Sequence, residues 1–351
     1  MRATARKTAV ITLVAGSIVV LALALWKLRL VLGLLFFAFI IAAAIRPSIE
    51  WLVRRHVPRA VGLALHYLAL VGVIALALSF AVPAALRQVD HALSPSGKAQ
   101  IAHAAASSSG VKHQVLAALQ KRLQHLPKRS DLIKPAAQAG VTAFEILIGI
   151  FFTFAAAAYW IFERDKAIDL VTSLFPRPKR KLIRDTWDLI DAKLGAFVRG
   201  QVLLIGLVGT VLSLLFWIIG EPYWLLVGAF AGLVEIVPVI GPLTAGTLAV
   251  AVGFTASVHV AALAVVCVIA VRLAEDYLVM PKILGDAVGL SPLLVLVSVT
   301  AVGILFSGWA VLFAVPLAAI VVTIFDVVFR DVDPAEEEVP AVIFSARESE
   351  A

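Results

Sequence analysis

Charge is the property this chain distributes least evenly. Of its 30 basic and 23 acidic residues, 45 fall into six blocks: the first seven residues, Lys27 with Arg29, 46–59, 86–140, 163–199 and the stretch from Asp326 to the end. The other eight, Glu145, Glu221, Glu235, Arg272, Glu275, Asp276, Lys282 and Asp286, lie in strongly apolar or Gly/Pro-broken stretches. A soluble globule spreads charge over all its elements, because each has a wetted face. Here 62% of residues are apolar and 15% charged, against roughly 45–50% and 25% in an ordinary soluble domain. The pattern excludes such a globule and predicts a polytopic membrane protein.

A hydrocarbon core of about 30 Å takes roughly 20 apolar residues per helix. Apolar runs at about 8–26, 30–45, 61–83, 141–162 and 202–219 approach or meet that length without sustained alternation, so they are helices and not barrel strands. The expected fold is all-α, with about eight transmembrane helices, broken or re-entrant segments in the C-terminal half, and small amphipathic helical polar blocks. Arg2, Arg6 and Lys7 before an apolar run imitate a signal peptide, but the length of that run and the span that follows at once favour an uncleaved first helix.

The expected organisation has three helices in 1–85, an extracytoplasmic helical block in 86–140 and a fourth helix in 141–162. A cytoplasmic amphipathic linker over 163–200 leads to a C-terminal transport core of broken helices, 201–329, and an acidic, disordered tail, 330–351. Arg46, Arg54, Arg55 and Arg59 outnumber Glu50 in a short loop. By the positive-inside rule that loop is cytoplasmic, and both termini with it. The 86–140 block is basic yet falls outside by parity, which a loop of this length tolerates. Its His91, His103, His113 and His125 lack the close pairing of a metal site and suit solvated faces. In the linker, Ile183, Trp187, Ile190, Leu194 and Phe197 form one stripe, with Asp185, Asp188 and Asp191 elsewhere, as in a helix at the membrane interface. The basic residues flank spans, which suits contact with membrane lipids and no nucleic acid. The lone Cys267 excludes a disulfide framework.

Beyond position 220 the apolar pattern breaks. Pro238 to Pro242 interrupts 223–255, and Ser307-Gly308 interrupts 293–329. Breaks free backbone groups that lipid cannot satisfy, so they survive where protein or a water-filled cavity receives them. Paired discontinuous helices point to a transporter's substrate site, and two hairpins entering from opposite faces are expected. Ionisable residues at membrane depth cost about 2.5–3.5 kcal/mol on insertion scales, so each needs a reason. Glu235 leads the candidates, three residues before Pro238 in a run with no neighbouring cation. It reads either as a coupling carboxylate or as a satisfied polar group at the break. Arg272 and Asp276 are one turn apart with Glu275 beside them, which suits an i,i+4 ion pair or a gate. Glu145 and Glu221 start their spans and read as interfacial, and Gly228 and Gly232 as close-packing positions. The candidate solute and ion pathway is Glu235, Pro238, Gly241, Pro242, Arg272, Glu275, Asp276, Pro281, Asp286, Ser307 and Gly308.

The ordered series Phe197-Val198-Arg199-Gly200-Gln201, Ile219-Gly220 with Pro222-Tyr223, and Ile236-Val237-Pro238-Val239-Ile240-Gly241-Pro242 resembles the autoinducer-2 exporter family of bacterial permeases. It continues with Glu275-Asp276 before Met280-Pro281-Lys282, Gly289-Leu290-Ser291-Pro292-Leu293, and Gly308 followed by Pro316-Leu317. The series covers about 195–320, while the first 160 residues match in layout alone. Val239 departs from the pattern, standing where an aromatic is common in the family. The resemblance implies a multi-pass inner-membrane permease, usually a homo-oligomer, that exports small solutes. Substrates across the family run from the autoinducer-2 signal to sodium or lithium exchanged for protons.

A secondary exporter of a small solute, coupled to an ion or a proton, is therefore the leading expectation, with a Na+(Li+)/H+ antiporter as the alternative. A membrane scaffold or an intramembrane enzyme ranks lower. Ile283-Leu284-Gly285-Asp286 and Leu305-Phe306-Ser307-Gly308 each lack the first glycine of the intramembrane protease motif they approximate, so no enzyme is expected. No phosphate-binding loop is present, so ATP hydrolysis is not built in, and no cofactor or metal is expected.

Overall fold

A computed structural model describes residues 2–93, 106, 133–237, 240–280, 289–306 and 308–342. Among these the chain is helical, with no β-strand. The elements are α1 (Arg2–Lys27), α2 (Arg29–Arg54), α3 (Arg59–Leu93), α4 (Ile133–Ser173), α5 (Arg177–Ile218), α6 (Trp224–Val234), α7 (Ile240–Ala256) and α8 (Val258–Ala274). A π-helical turn, Glu275–Val279, extends α8, and α9 (Pro292–Phe306), a 3₁₀ turn (Gly308–Phe313) and α10 (Ala314–Phe329) complete the described set. Six helical stretches among the described residues are long and apolar enough to cross a membrane, and α6, α7, α9 and part of α1 are shorter apolar helices. An all-α polytopic membrane protein is what the sequence leads one to expect.

The polar linker is not a separate block. α4 carries the fourth apolar run through 163–173, and α5 joins the amphipathic stripe to the fifth run in one helix of 42 residues. At 1.5 Å per residue α5 is about 63 Å long, twice a hydrocarbon core. Pro176 and Pro178 start it, where a missing amide hydrogen costs nothing. Most of the expected outer block, including His103, His113 and His125, lies outside the described residues.

Packing centres on α2 and α5, which touch each other. α2 also meets α3 and α4, while α5 meets α6 and α10. Pro47 within α2 cannot donate to the Ala43 carbonyl, and Gly195 of α5 comes up against that carbonyl, where a side chain would collide. α6 lies along α5 through paired glycines: a Cβ on Gly232 would stand 2.6 Å from the Ile205 carbonyl oxygen and 2.7 Å from the Gly209 Cα. Lipid provides no hydrophobic drive between helices, so such close backbone approach is what holds them together. Alanines and mid-sized residues fill the contact among α5 to α8: Leu212, Phe216, Val227, Ala245, Ala249 and Ala264 are all buried.

The two broken segments turn at different depths along α2. The α6–α7 turn sits beside Gln201, close to Arg199, which donates to the Ala44 carbonyl. The turn between α9 and α10 lies near the α1–α2 turn, with Phe306 against Trp26 and Trp309 over Gly33. Beyond α10 the acidic tail, expected to be disordered, is held as far as Val342. Glu337 pairs with Lys193 at 2.5 Å, and Arg199 Nε donates to the Val342 carbonyl at 2.9 Å. Val342 is itself buried against Ala196.

Candidate functional site

α6 ends at Val234, four residues before Pro238, which has no amide hydrogen for the Val234 carbonyl. The chain turns at once. Gly241, at the start of α7, lies so near the end of α6 that a Cβ would stand 2.7 Å from the Val234 carbonyl carbon. This turn leaves Glu235 buried with its side chain 7% exposed. Gln201 Nε2 of α5 donates to the Glu235 backbone carbonyl at 3.1 Å, satisfying a group that the helix break frees.

The same turn faces the end of α8. Arg272 Nη1 donates to Glu235 Oε1 and to Glu275 Oε2, both at 3.1 Å, and Arg272 Nη2 reaches Asp276 Oδ1 at 2.9 Å. One guanidinium therefore bridges three carboxylates drawn from two breaks in the helices. Glu275 is as buried as Glu235, at 4%, whereas Asp276 is 41% exposed. Glu275 and Asp276 open the π turn that continues α8, at i+3 and i+4 from Arg272.

Glu235, Arg272, Glu275 and Asp276 thus form one cluster, and Gly241 and Pro242 shape the turn behind it. The expectation that Glu235 has no cation is corrected: Arg272 is 37 residues away in sequence and adjacent in space. Gly308 is not brought to the cluster. It opens the 3₁₀ turn beside the α1–α2 turn. Pro238, Pro281, Asp286 and Ser307 lie outside the described residues. Among the described residues no group of three or more His, Cys, Asp or Glu is placed to hold a metal ion.

Three features were not legible as a site. Gln201, in a motif quoted only for its resemblance, ties α5 to the break. A polar cavity of about 430 Å³ opens where α2, α4 and α5 meet, lined by Arg46, Arg164, Asp188, Asp191 and Arg199. Arg164 there donates to Asp191 at 2.5 Å and also binds Asp188. On another face of α5 the apolar stripe closes a second cavity of about 770 Å³, walled by Phe36, Phe39, Trp160, Trp187 and Ile190. These stripe residues pack against α2 and α4 instead of lying on lipid alone.

Sequence comparison agrees with this architecture. The AI-2E family transporter model matches residues 16–330. Relatives include three proteins described as "putative transport protein". YrrI of Bacillus subtilis (strain 168) is 26% identical over 52% of this chain and 53% of its own length. YueF of the same organism is 31% identical over 39% of this chain and 37% of its own. MT0215 of Mycobacterium tuberculosis (strain CDC 1551 / Oshkosh) is 24% identical over 80% of this chain and 78% of its own. The chain thus spans about half of YrrI and about a third of YueF, and most of MT0215. With the family match running from α1 to the end of α10, the chain belongs to the AI-2E family of transporters.

Proposed function

We propose that this protein is an inner-membrane secondary permease that exports a small solute, with transport coupled to a small cation at the Glu235–Arg272–Glu275–Asp276 cluster. The observation that carries the proposal is the charge imbalance of that cluster, three carboxylates around one guanidinium. Burying ions is costly unless their charges are balanced, and Glu235 and Glu275 are both buried. A proton or an alkali ion supplies the missing charge and, on leaving, changes how tightly Arg272 holds α6 to α8. Loading and release of the cation would then shift the relation between the two broken segments, the α6–α7 turn and the α9–α10 turn, which enter from opposite faces. The termini lie on the cytoplasmic side, and the protein works as a homo-oligomer surrounded by lipid.

Na+(Li+)/H+ antiport, with no organic solute, is the second function that the same acid excess favours. Vesicles loaded with a pH-sensitive dye decide between these outcomes. Reconstituted protein should move protons when a sodium or lithium gradient is imposed if the cation itself is cargo, and Glu235→Gln should abolish that movement. A dye signal that Glu235→Gln leaves unchanged defeats coupling at this cluster. If no alkali ion elicits a signal, the antiport alternative is discarded. Proton-coupled export is then tested by solute efflux under a pH gradient.

A further inference from the structure

The turn between α5 and α6 holds an acid that the cluster at Glu235 does not use. Gly220 and Tyr223 both adopt left-handed backbone, with φ of 72° and 58°. Between them Glu221 is folded inward instead of facing the interface. It is 2% exposed, and neither carboxyl oxygen has a hydrogen-bond partner among the described residues.

Its surroundings are built from the α7–α8 hairpin. Oε2 lies 3.1 Å from the place a Cβ would occupy on Gly253 of α7, so glycine leaves the room that the carboxylate fills. The same point is 2.8 Å from the Cα of Ala261 in α8, which closes the other side. No charged residue lies on α5 after Arg199, and none lies on α6 or α7. Cys267 of α8 is close enough to interact with Glu221, and Tyr223 sits in the same turn. The other titratable or charged groups of α8 are His259, which is exposed, and Arg272, which is engaged at the Glu235 cluster. None of these donates a hydrogen bond to the Glu221 carboxyl, whereas Arg272 donates one to Glu235. α7 ends at Ala256, three residues past Gly253, so Glu221 packs against its last turn.

We propose that Glu221 is a second binding site for a small monovalent cation, a proton or an alkali ion, at the end of α6 remote from Glu235. An ionised carboxylate with no partner does not persist at this burial, so the group holds its neutralising cation there. α6 then carries one cation-responsive carboxylate at each end: Glu235, balanced by Arg272, and Glu221, balanced by what it binds. This extends cation coupling to a second station, but binding at Glu221 can be read without any transport.

The test uses dicyclohexylcarbodiimide, which modifies protonated carboxyls in apolar surroundings, on the full chain in proteoliposomes, with adducts mapped by peptide mass spectrometry. Glu221 should be labelled, and labelling should fall roughly tenfold per pH unit once the site loses its proton, scanned from about pH 6 to about pH 9. Protection by sodium or lithium, but not by choline, identifies an alkali site. A pH dependence without such protection identifies a proton site. Melting temperature provides a second measure: its dependence on pH or on alkali ion should shrink in Glu221→Gln and persist in Glu235→Gln. Labelling that responds to neither pH nor cations, or absent labelling together with a Glu221→Gln melting profile identical to wild type, overturns the proposal. Those results would leave coupling at Glu235 standing. Loss of coupling at Glu235 would likewise leave Glu221 labelling intact.

Discussion

Replacing Arg272 with methionine removes the cation and keeps an unbranched, apolar side chain about as long as the aliphatic stem of arginine. It strands Glu235 and Glu275, which are 7% and 4% exposed. At the 3.1 Å separations observed, each pair is worth about 5 kcal/mol of Coulomb attraction at an effective dielectric of about 20. Desolvating the guanidinium offsets part of this, and Asp276, at 41% exposure, adds little. Breaking a buried pair from one side costs about 3–5 kcal/mol, and because Arg272 is itself 35% exposed, Arg272→Met should cost about the lower end of that range. Glu235→Gln should cost less, since it removes one of two competing buried acids and leaves Arg272 paired with Glu275. The double variant should therefore be more stable than Arg272→Met alone. Equilibrium unfolding in mixed detergent micelles, titrated with a denaturing detergent, measures all four corners of this cycle. If the double variant is less stable than Arg272→Met by the full cost of Glu235→Gln, the two residues are energetically independent and the bridge has no role in stability.

Other contacts lead to equally direct expectations. Gly232→Ala should push α6 from α5 and cost about 1–3 kcal/mol of overpacking, with weaker cation-driven flux, while Gly206→Ala, with nothing within 4 Å, should leave melting unchanged. Arg164→Gln should destabilise by about 3–5 kcal/mol, because Asp191, 7% exposed, loses its closest cation; detergent melting reads this, and Arg46 at 3.5 Å limits the loss. Glu337→Gln should loosen the tail, because Lys193 is 4% exposed and Glu337 is its ion-pair partner; faster amide exchange over 331–342 would show it.

Where the sequence carries local information, it anticipated the structure. The break after Val234 announces itself through a proline's missing donor and Gly241, and the Arg272–Asp276 pair follows from helical spacing alone. The link from Arg272 to Glu235 does not, because it depends on α7 and α8 folding back as a hairpin that closes a gap of 37 residues. Glu221 misleads for a similar reason. Its position at the head of an apolar run suggests an interface, and only the two left-handed residues around it turn the carboxyl inward. The tail carries a composition typical of disorder, yet Val342 and Glu337 find partners on α5 that a count of charges does not reveal. The stripe Ile183, Trp187, Ile190 and Leu194 was visible as a face; that α2 and α4 cover it was not.

The unbroken length of α5 has a mechanical meaning. Asp191, held by Arg164, and Gln201, holding the Glu235 carbonyl, are ten residues apart, a rise of about 15 Å that a helix neither stretches nor compresses cheaply. Gly195 presses on the α2 backbone between them, as a beam rests on a pivot. A beam tilted about such a point moves its two arms in opposite senses. Were α5 to tilt about that contact, the α6–α7 turn and the arginine-lined cavity would move in opposite senses.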